Sequence, residues 1–472
     1  MKFYNTKTRN LDTFTSIKEG EVSLYTCGPT VYNYLHVGNW VAYIRWDILV
    51  RTLQASGYHV TRVMNITDVG HLVSDSDDGE DKMEKGARRE GKTAWEVAKM
   101  YTDDFLDGMH KLNLIEPTYI TKATEYIPQQ LELVRVLKQK GYTYQIDDGI
   151  YFDTSKFPSY ADFARLNLDE LKEGARVEFN REKRNPSDFA LWKFRPAGEQ
   201  RDMEWDTPAD IREGDTPQKG FPGWHLECSA MAMDRLGETI DIHTGGIDHI
   251  PVHHSNEIAQ SEAATGKPFA NFWLHNNFLL VDGTKVSKSL GNTYELKDIA
   301  EKGYSPDDFR IFVLQSHYQS ESNFTWENVQ AAKNRLQGYK AMAQMRYQPA
   351  IGENSVDFVS AYTAILEALQ DDMNTPIALQ ILSDVDGKVS EHGIAEQDAT
   401  NFAVFLSQID QLLGLSLLDE TDITDAQKQL IAARGDARAA KNWQKSDELR
   451  DELAVQGITI RDTPAGQIWS RI

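Results

Sequence analysis

Residues 27–40 read CGPTVYNYLHVGNW, and this stretch decides the fold because it separates a strand-like run from a helical one. Before it, Val22, Leu24 and Tyr25 are apolar. After it, Val41, Ile44, Ile48 and Leu53 recur near one helical face as far as Gly57, a residue suited to end a helix. His59 to Ile66 then reads as a second strand. Strand, helix and strand with short links make a βαβ unit, which is parallel and right-handed in nearly all proteins. The expected fold class is α/β, built on a Rossmann-like parallel sheet. Ligands of such sheets sit where a strand ends and a helix begins, because free backbone N–H groups and the helix dipole face anions there. At that junction His36, Gly38 and Asn39 offer an imidazole donor, a residue without Cβ and an amide. An ordinary strand-to-helix turn offers the same residues.

A chain of 472 residues with 40% hydrophobic content has material for about three domains. No uninterrupted apolar run approaches the roughly 18 residues that span a bilayer, and MKFYNTKTRNLDTF shows no charged-then-apolar leader. A cytoplasmic location without a membrane partner is therefore expected. The 2 cysteines, Cys27 and Cys228, cannot build a disulfide framework; they are buried small hydrophobes, nucleophiles or metal ligands. A net charge of −22 repels nucleic acid at long range. Binding it would need local basic patches. Lys82 to Arg89, Arg181 to Arg184 and Arg434 to Lys445 are candidates that equally suit solvated faces.

Further along, SDSDDGED places Gly79 one residue too early for a calcium loop starting at Asp75, so a solvated loop is expected. Thr93 and Glu96 have capping-box spacing for a helix to about Leu112, and another helix is expected from about Glu125 to Lys140. From about Tyr142 to Pro208, short strands, an Asp148-Gly149 turn and charged loops suggest an insertion dividing the sheet domain. The core resumes near Pro222 with a helix bearing Trp224, Leu226, Met231 and Met233, a strand from Thr239 to His243, and a glycine turn at Gly245-Gly246. In LLVDGTKVSKSLGN, from Leu279, a short strand and an Asp282-Gly283 turn lead into a lysine loop. Beyond about Gln330 the pattern is helical until short strands at Ile458 to Arg461 and Gln467 to Trp469. A separate carboxy-terminal helical domain is the expectation.

Two groupings carry chemistry. His253 and Glu257 share a helical face if PVHHSNEIAQ is helical, and both bind divalent metals. Without context, surface or capping roles are the preferred reading of His253 and His254. Cys27 ends a strand, Cys228 opens a helix and the His/Glu pair opens another, so all four could meet above one sheet edge. The second grouping is HVGN with KVSKS, Lys285 to Ser289. Transfer at a phosphate needs positive charge and N–H donors where negative charge grows, and His36 and Lys288 supply these.

Taken together, CGPTVYNYLHVGN, NITDV, GWHLECSAM, HTGGIDHIPVHHSNEIAQSEA, KVSKSLGN and NWQKSDELRDELAVQGITIRDTPAGQIW resemble the cysteinyl-tRNA synthetases, a class I aminoacyl-tRNA synthetase family. The motifs stand in family order from about Tyr25 to Trp469. The resemblance implies a Rossmann catalytic domain in two halves, 1–120 and 211–275, split by a connective insertion at 121–210. A stem-contact region with the lysine loop would occupy 276–330, and a helical anticodon-binding domain 331–472. One zinc ion is implied on Cys27, Cys228, His253 and Glu257. ATP, with Mg2+, is implied at His36, Val37, Gly38, Asn39, Lys285, Val286, Ser287, Lys288 and Ser289, with His36, Asn39, Lys285 and Lys288 in catalysis. The cysteine pocket falls on Cys27, Thr67, Trp224, His243 and Asp248, and the tRNA anticodon on Trp443 and Asp447.

The implied activity of this monomer is activation of L-cysteine by ATP and transfer to the 3′ end of tRNA(Cys). Zinc would select the substrate thiolate over the serine hydroxyl, so no hydrolytic editing is expected. Two alternatives stand beside it: a ligase joining cysteine to an amino sugar, of the mycothiol-pathway type and without an anticodon domain, and a catalytically dead zinc-containing RNA-binding protein. Asn39 stands where the class motif ends in histidine, and Val286 where it has methionine. The acidic stretch at 68–81 and the segment 209–219 also depart from the family pattern.

Overall fold

The computed structural model describes residues 1–70, 81–166, 182–196, 198, 200–286, 291–348, 356–463 and 466–471. Its central sheet has five parallel strands: β1 (Glu21–Thr26), β2 (His59–Ile66), β3 (Tyr119–Lys122), β4 (Ile240–Gly246) and β5 (Ala270–Asn276). They lie in the order β5-β4-β1-β2-β3, as a Rossmann-like sheet requires. Chain direction reverses across the sheet between β1 and β4. A crevice therefore opens at the carboxyl ends of those two strands.

Strand alternation assigns the faces. Val22, Leu24, Ile242, Phe272 and Leu274 pack against Trp46, Leu49, Val50 and Leu53 of helix α1 (Val37–Ala55). On the opposite face, Tyr25, Val63 and Trp273 meet Met231 and Ala232 of α2 (Trp224–Leu236) and Ile258 of α3 (Ser255–Thr265). The second side of α1, carrying Trp40, Val41, Ile44 and Ile48, is buried in a further cluster. Leu53 thus faces the sheet while Val41, Ile44 and Ile48 face away from it. A helix held between two apolar layers has no single stripe to read.

Thr93 and Glu96 form the expected capping box, on a helix at Ala94–Lys111. The insertion holds a five-stranded antiparallel sheet ordered Thr143–Ile146, Gly149–Phe152, Phe189–Phe194, Lys219–Pro222, Trp205–Asp206. That sheet extends past 210 to Pro222. Ile146 pairs with Gly149, so the turn is Asp147-Asp148, one residue earlier than expected. Gly149 is needed in the strand, where a Cβ would lie 2.5 Å from the Trp192 carbonyl oxygen. Gly245 and Gly246 likewise do not turn; they end β4, paired with His275 and Asn276. The Asp282-Gly283 turn does form, with φ of 50° and 73°, between Leu279–Val281 and Thr284–Lys285. Ser287, Lys288 and Ser289 lie outside the described residues, as does most of the acidic stretch (71–80).

The carboxy-terminal half is helical, as expected. One hydrophobic cluster runs from Val31 on the catalytic side through Leu336, Leu379 and Phe405 to Leu417, so the anticipated boundary at 331 falls inside a shared core. A smaller second core begins at Ile423 and joins Leu453, Ile458, Ile460 and Trp469, beneath helices Asp425–Ala439 and Trp443–Val455 and the hairpin Ile458–Thr463/Gly466–Arg471. No described helix is long and apolar enough to cross a membrane.

Candidate active site and metal centre

His36 is the N-cap of α1, in extended backbone at φ −87° and ψ 165°. Asn39 Oδ1 accepts the His36 backbone N–H at 3.2 Å, so this departure from the class motif caps the helix. The Val37 N–H donates to the Tyr294 carbonyl at 2.7 Å and His36 bridges Glu295, fastening HVGN to the chain just beyond the lysine loop. A Cβ on Gly38 would lie 3.0 Å from the His36 ring and 3.6 Å from Val286. Asn292 Nδ2 closes the base of the loop by donating to Thr284 Oγ1 at 3.1 Å and the Lys285 carbonyl at 3.2 Å. These residues border a cleft of about 560 Å³, whose lining includes His36, Asn39, Lys285, Cys27, Trp224 and Asp248.

The metal candidates meet at the crevice. One ligand atom each from Cys27, Cys228, His253 and Glu257 lies within 4.8 Å of the others. A π-helical turn at Ile250–His254 precedes α3, and both His253 and His254 are buried. His253 Nε2 stands 2.9 Å from Glu257 Oε1, and His253 Nδ1 stands 2.9 Å from His225 Nδ1. A second, overlapping group is Cys27, His243, His254 and Glu257. Its histidines touch the group on one side, with His254 Nε2 3.6 Å from Cys27 Sγ, and are tied to other rings on the other. His243 Nε2 meets Glu257 Oε2 at 2.9 Å and its ring stacks on Trp273 at 4.5 Å, while His254 Nδ1 meets His275 Nε2 at 2.7 Å. His275 in turn meets Thr6 Oγ1 at 2.7 Å. Gly245 makes room for this packing, since a Cβ there would lie 2.6 Å from His254 and 2.7 Å from His249.

Two sulfurs, one imidazole and one carboxylate are a donor set that suits zinc, and their spacing fits ligands about 2.0–2.3 Å from a tetrahedral ion. The Cys228 thiol is pushed well above its ordinary value, first by its hydrogen bond with Cys27 and then by burial. Burial alone would raise the Glu257 carboxyl, but His243 and then His253 hold it down at about 2. The pocket thus favours protonated thiols beside a fixed carboxylate. A divalent cation reverses the thiol preference, because coordination selects the thiolate.

Residues 13–334 match the family model described as tRNA synthetases class I (C) catalytic domain, and residues 420–469 match the cysteinyl-tRNA ligase anticodon binding domain. The cysteine–tRNA ligase of Treponema denticola is 41% identical, over 100% of both chains. Cysteine–tRNA ligase 1 of Burkholderia lata is 42% identical, over 99% of this chain and 96% of its own. The chain belongs to the cysteine–tRNA ligase family. Among solved structures, methionyl-tRNA synthetase of Mycobacterium tuberculosis bound by methionyl-adenylate is similar with a TM-score of 0.58, covering 84% of this chain and 92% of its own. At 15% identity that likeness is one of fold.

The remaining family positions fall in three places. Trp224 and Asp248 line the cleft. Thr67 and His243 are buried behind it: Thr67 Oγ1 donates to Glu227 Oε2 at 3.0 Å and accepts from Asn65 Nδ2 at 3.1 Å, and Asn65 Oδ1 accepts the Gly28 N–H at 2.8 Å. Glu227, which motif reading passes over, is the anchor of that chain. Trp443 is 56% exposed at the start of its helix with the Arg438 guanidinium 5.5 Å from its ring, and Asp447 pairs with Arg450 at 3.2 Å. Not every residue of the expected basic patches reaches solvent. Arg434 is buried against Asp462 at 2.8 Å, whereas Arg89 is exposed while it holds the Tyr32 carbonyl and the Tyr101 hydroxyl.

Proposed function

We propose that this chain activates L-cysteine with ATP and transfers the cysteinyl group to the 3′ end of tRNA(Cys). The observation that carries this reading is Cys27: it belongs to a sulfur-rich donor set and also lines the cleft bordered by His36 and Lys285. The anticodon-domain match at 420–469 disfavours the amino-sugar ligase, which would lack that domain.

Cys27, Cys228, His253 and Glu257 would hold a zinc ion. When bound, zinc supplies a soft site for the substrate thiolate that a serine hydroxyl cannot match, whereas an apolar pocket separates such isosteres by only about 1–3 kcal/mol. The substrate carboxylate attacks the α-phosphate of ATP, taken as its Mg2+ complex, and pyrophosphate leaves. The His36 imidazole and the lysines at 285 and 288 place donors and positive charge where negative charge grows. Asn39 keeps His36 at the helix entry through its cap. Thr67 and His243 brace the cysteine pocket from behind, and Trp224 and Asp248 form its wall. The terminal ribose hydroxyl of tRNA then takes the cysteinyl group and AMP departs. Trp443 and Asp447 face the anticodon.

The test is ATP/pyrophosphate exchange by the purified protein with cysteine or serine, alongside its zinc content. Exchange driven by cysteine but not serine, at one zinc per chain, is expected. Exchange without cysteine dependence overturns the reading.

A further inference from the structure

Among the described residues, two lysines line the cleft, Lys285 and Lys82. Lys285 belongs to the nucleotide motif; Lys82 belongs to none of the motifs described above. Yet the chain fixes Lys82 with care. It is the first residue of the helix Lys82–Glu90, whose N-cap Asp81 accepts the N–H groups of Met83 at 2.7 Å and Glu84 at 2.9 Å. The Asp81 carboxylate also pairs with Arg201, whose guanidinium lies 3.7 Å from the centre of the Phe221 ring. Gly70 packs so closely on Asp81 that a Cβ there would lie 2.0 Å from the carboxylate. From the other side, the Asp202 N–H donates to Glu84 Oε1 at 3.0 Å while Asp202 Oδ2 accepts the Ala94 N–H at 2.7 Å. The insertion and the acidic cap together aim this one side chain. Its Nζ lies 5.0 Å from the centre of the Trp224 ring, and that ring lies 4.9 Å from His253.

Lys82 therefore stands one indole away from the metal donors, on the cysteine side of the cleft. A cysteine held there by its sulfur has its carboxylate separated from that sulfur only by Cβ and Cα. That carboxylate is the nucleophile of the first step, and its orientation toward the α-phosphate governs the rate. We propose that Lys82 binds the α-carboxylate of the cysteine substrate and so makes the site specific for an amino acid over a decarboxylated thiol. This rests on the cysteine-activating reading above. A lysine ammonium on a carboxylate is a charge-assisted contact, and its loss weakens binding by about tenfold or more.

The experiment is calorimetric titration of the metal-loaded full chain, wild type, Lys82→Met and Lys82→Arg, with L-cysteine and with cysteamine, which has the thiol and amine but no carboxylate. Lys82→Met should weaken L-cysteine by about tenfold or more and change cysteamine by less than about twofold, with Lys82→Arg recovering most of the cysteine affinity. Cysteine binding by Lys82→Met at the wild-type level overturns the proposal. So does a loss shared equally by cysteamine, or one accompanied by loss of metal. Absence of cysteine-dependent exchange in the wild type would instead strike the parent reading, which keeps the two failures distinct.

Discussion

Glu257 has both carboxylate oxygens engaged, one by His243 and the other by His253. A glutamate this deeply buried stays ionised only because those imidazoles outweigh burial. Metal binding here then depends on the thiols: the hydrogen bond with Cys27 and then burial raise Cys228, while the same hydrogen bond lowers Cys27 and burial with the neighbouring carboxylates outweighs it. Replacing one sulfur removes a soft donor without moving the nucleotide side of the cleft. Cys228→Ser is expected to lower zinc content and raise the KM for cysteine by at least the roughly 10–100-fold typical of weakening a metal site, with the KM for ATP changed much less. Exchange kinetics with either substrate varied, beside metal analysis, check this; retained zinc and cysteine affinity would remove Cys228 from the ligand set. The four donors that meet at the crevice were legible in the sequence because a chain with two cysteines and a histidine four residues before a glutamate carries scarce signals. His243, His254, Glu227 and Lys82 were harder. A histidine that packs on Trp273, or a lysine aimed by a cap and an insertion, depends on long-range placement that local spacing does not carry.

At the scale of one element, α1 joins most of what the cleft needs. Its first turn presents HVGN, one flank covers the sheet, the other enters the helical core, and its middle holds a buried arginine. Arg45 Nη1 donates to the Asn277 carbonyl at 3.2 Å and the Tyr318 carbonyl at 3.0 Å, and Nη2 to Ser322 Oγ at 2.8 Å. Among the described residues it pairs with no carboxylate, and burial lowers its pKa to about 10. A cation kept at that cost fixes the crossover from β5 into the lysine hairpin, where Asn276, Asn277, Phe278 and Leu279 line the cleft. Arg45→Met removes three hydrogen bonds from a charged donor, while the Tyr318 carbonyl keeps the Asn277 N–H and the Asn277 carbonyl keeps Asn276 Nδ2, and this costs about 2–4 kcal/mol in total. It should also raise the KM for ATP more than that for cysteine, with Arg45→Lys restoring part of both. Urea unfolding and exchange kinetics measure the two effects; an ATP KM that stays put would make Arg45 a purely structural residue. Helices and strands with a capping box, a terminal glycine or clear alternation were read correctly from sequence. The misreadings at Asp147-Asp148 and Gly245-Gly246 share a cause, glycine used for close side-chain or backbone approach rather than for a turn.

Across the whole molecule, the catalytic layer and the first helices beyond it are one body, locked by a buried ionic knot. Asp47 of α1 accepts from Arg310 and, at 2.7 Å, from Arg51; Arg310 Nε donates to the Leu413 carbonyl at 2.7 Å and Arg51 Nη1 to the Gln411 carbonyl at 2.8 Å. Burial alone would raise the Asp47 carboxyl, but Arg310 and then Arg51 outweigh it and leave it below its ordinary value. A depressed acid stabilises the fold at pH above its unfolded value, about 4, and that stability is lost as pH falls through the folded value. Asp47→Asn strands two buried arginines and should cost about 3–5 kcal/mol near neutrality. The gap in urea midpoint between wild type and Asp47→Asn should hold steady above about pH 5 and narrow below about pH 4; a gap that is flat through that range would refute the sign. This knot also fixes where the chain can be cut. Ending it at 330 would strip Leu336, Tyr339, Leu379 and Phe405 from a core shared with α1, so adenylation and transfer would fail together through unfolding. The second core is attached by Ile468, which enters the large core, by Tyr347, and by hydrogen bonds around one helix end: Gln344 Nε2 to Glu420 at 2.7 Å, the Trp469 N–H to Gln348 Oε1 at 3.0 Å, and the Arg471 N–H to Gln344 Oε1 at 3.0 Å. A chain ending after Leu418 keeps nearly all of the large core and loses Trp443 and Asp447. It should retain cysteine-dependent pyrophosphate exchange within a few-fold and lose aminoacylation by roughly 10–100-fold or more, the range set by one lost base-stacking contact. Equal loss of both activities in a truncated protein with native circular dichroism would show that the second core serves the catalytic cleft rather than the RNA.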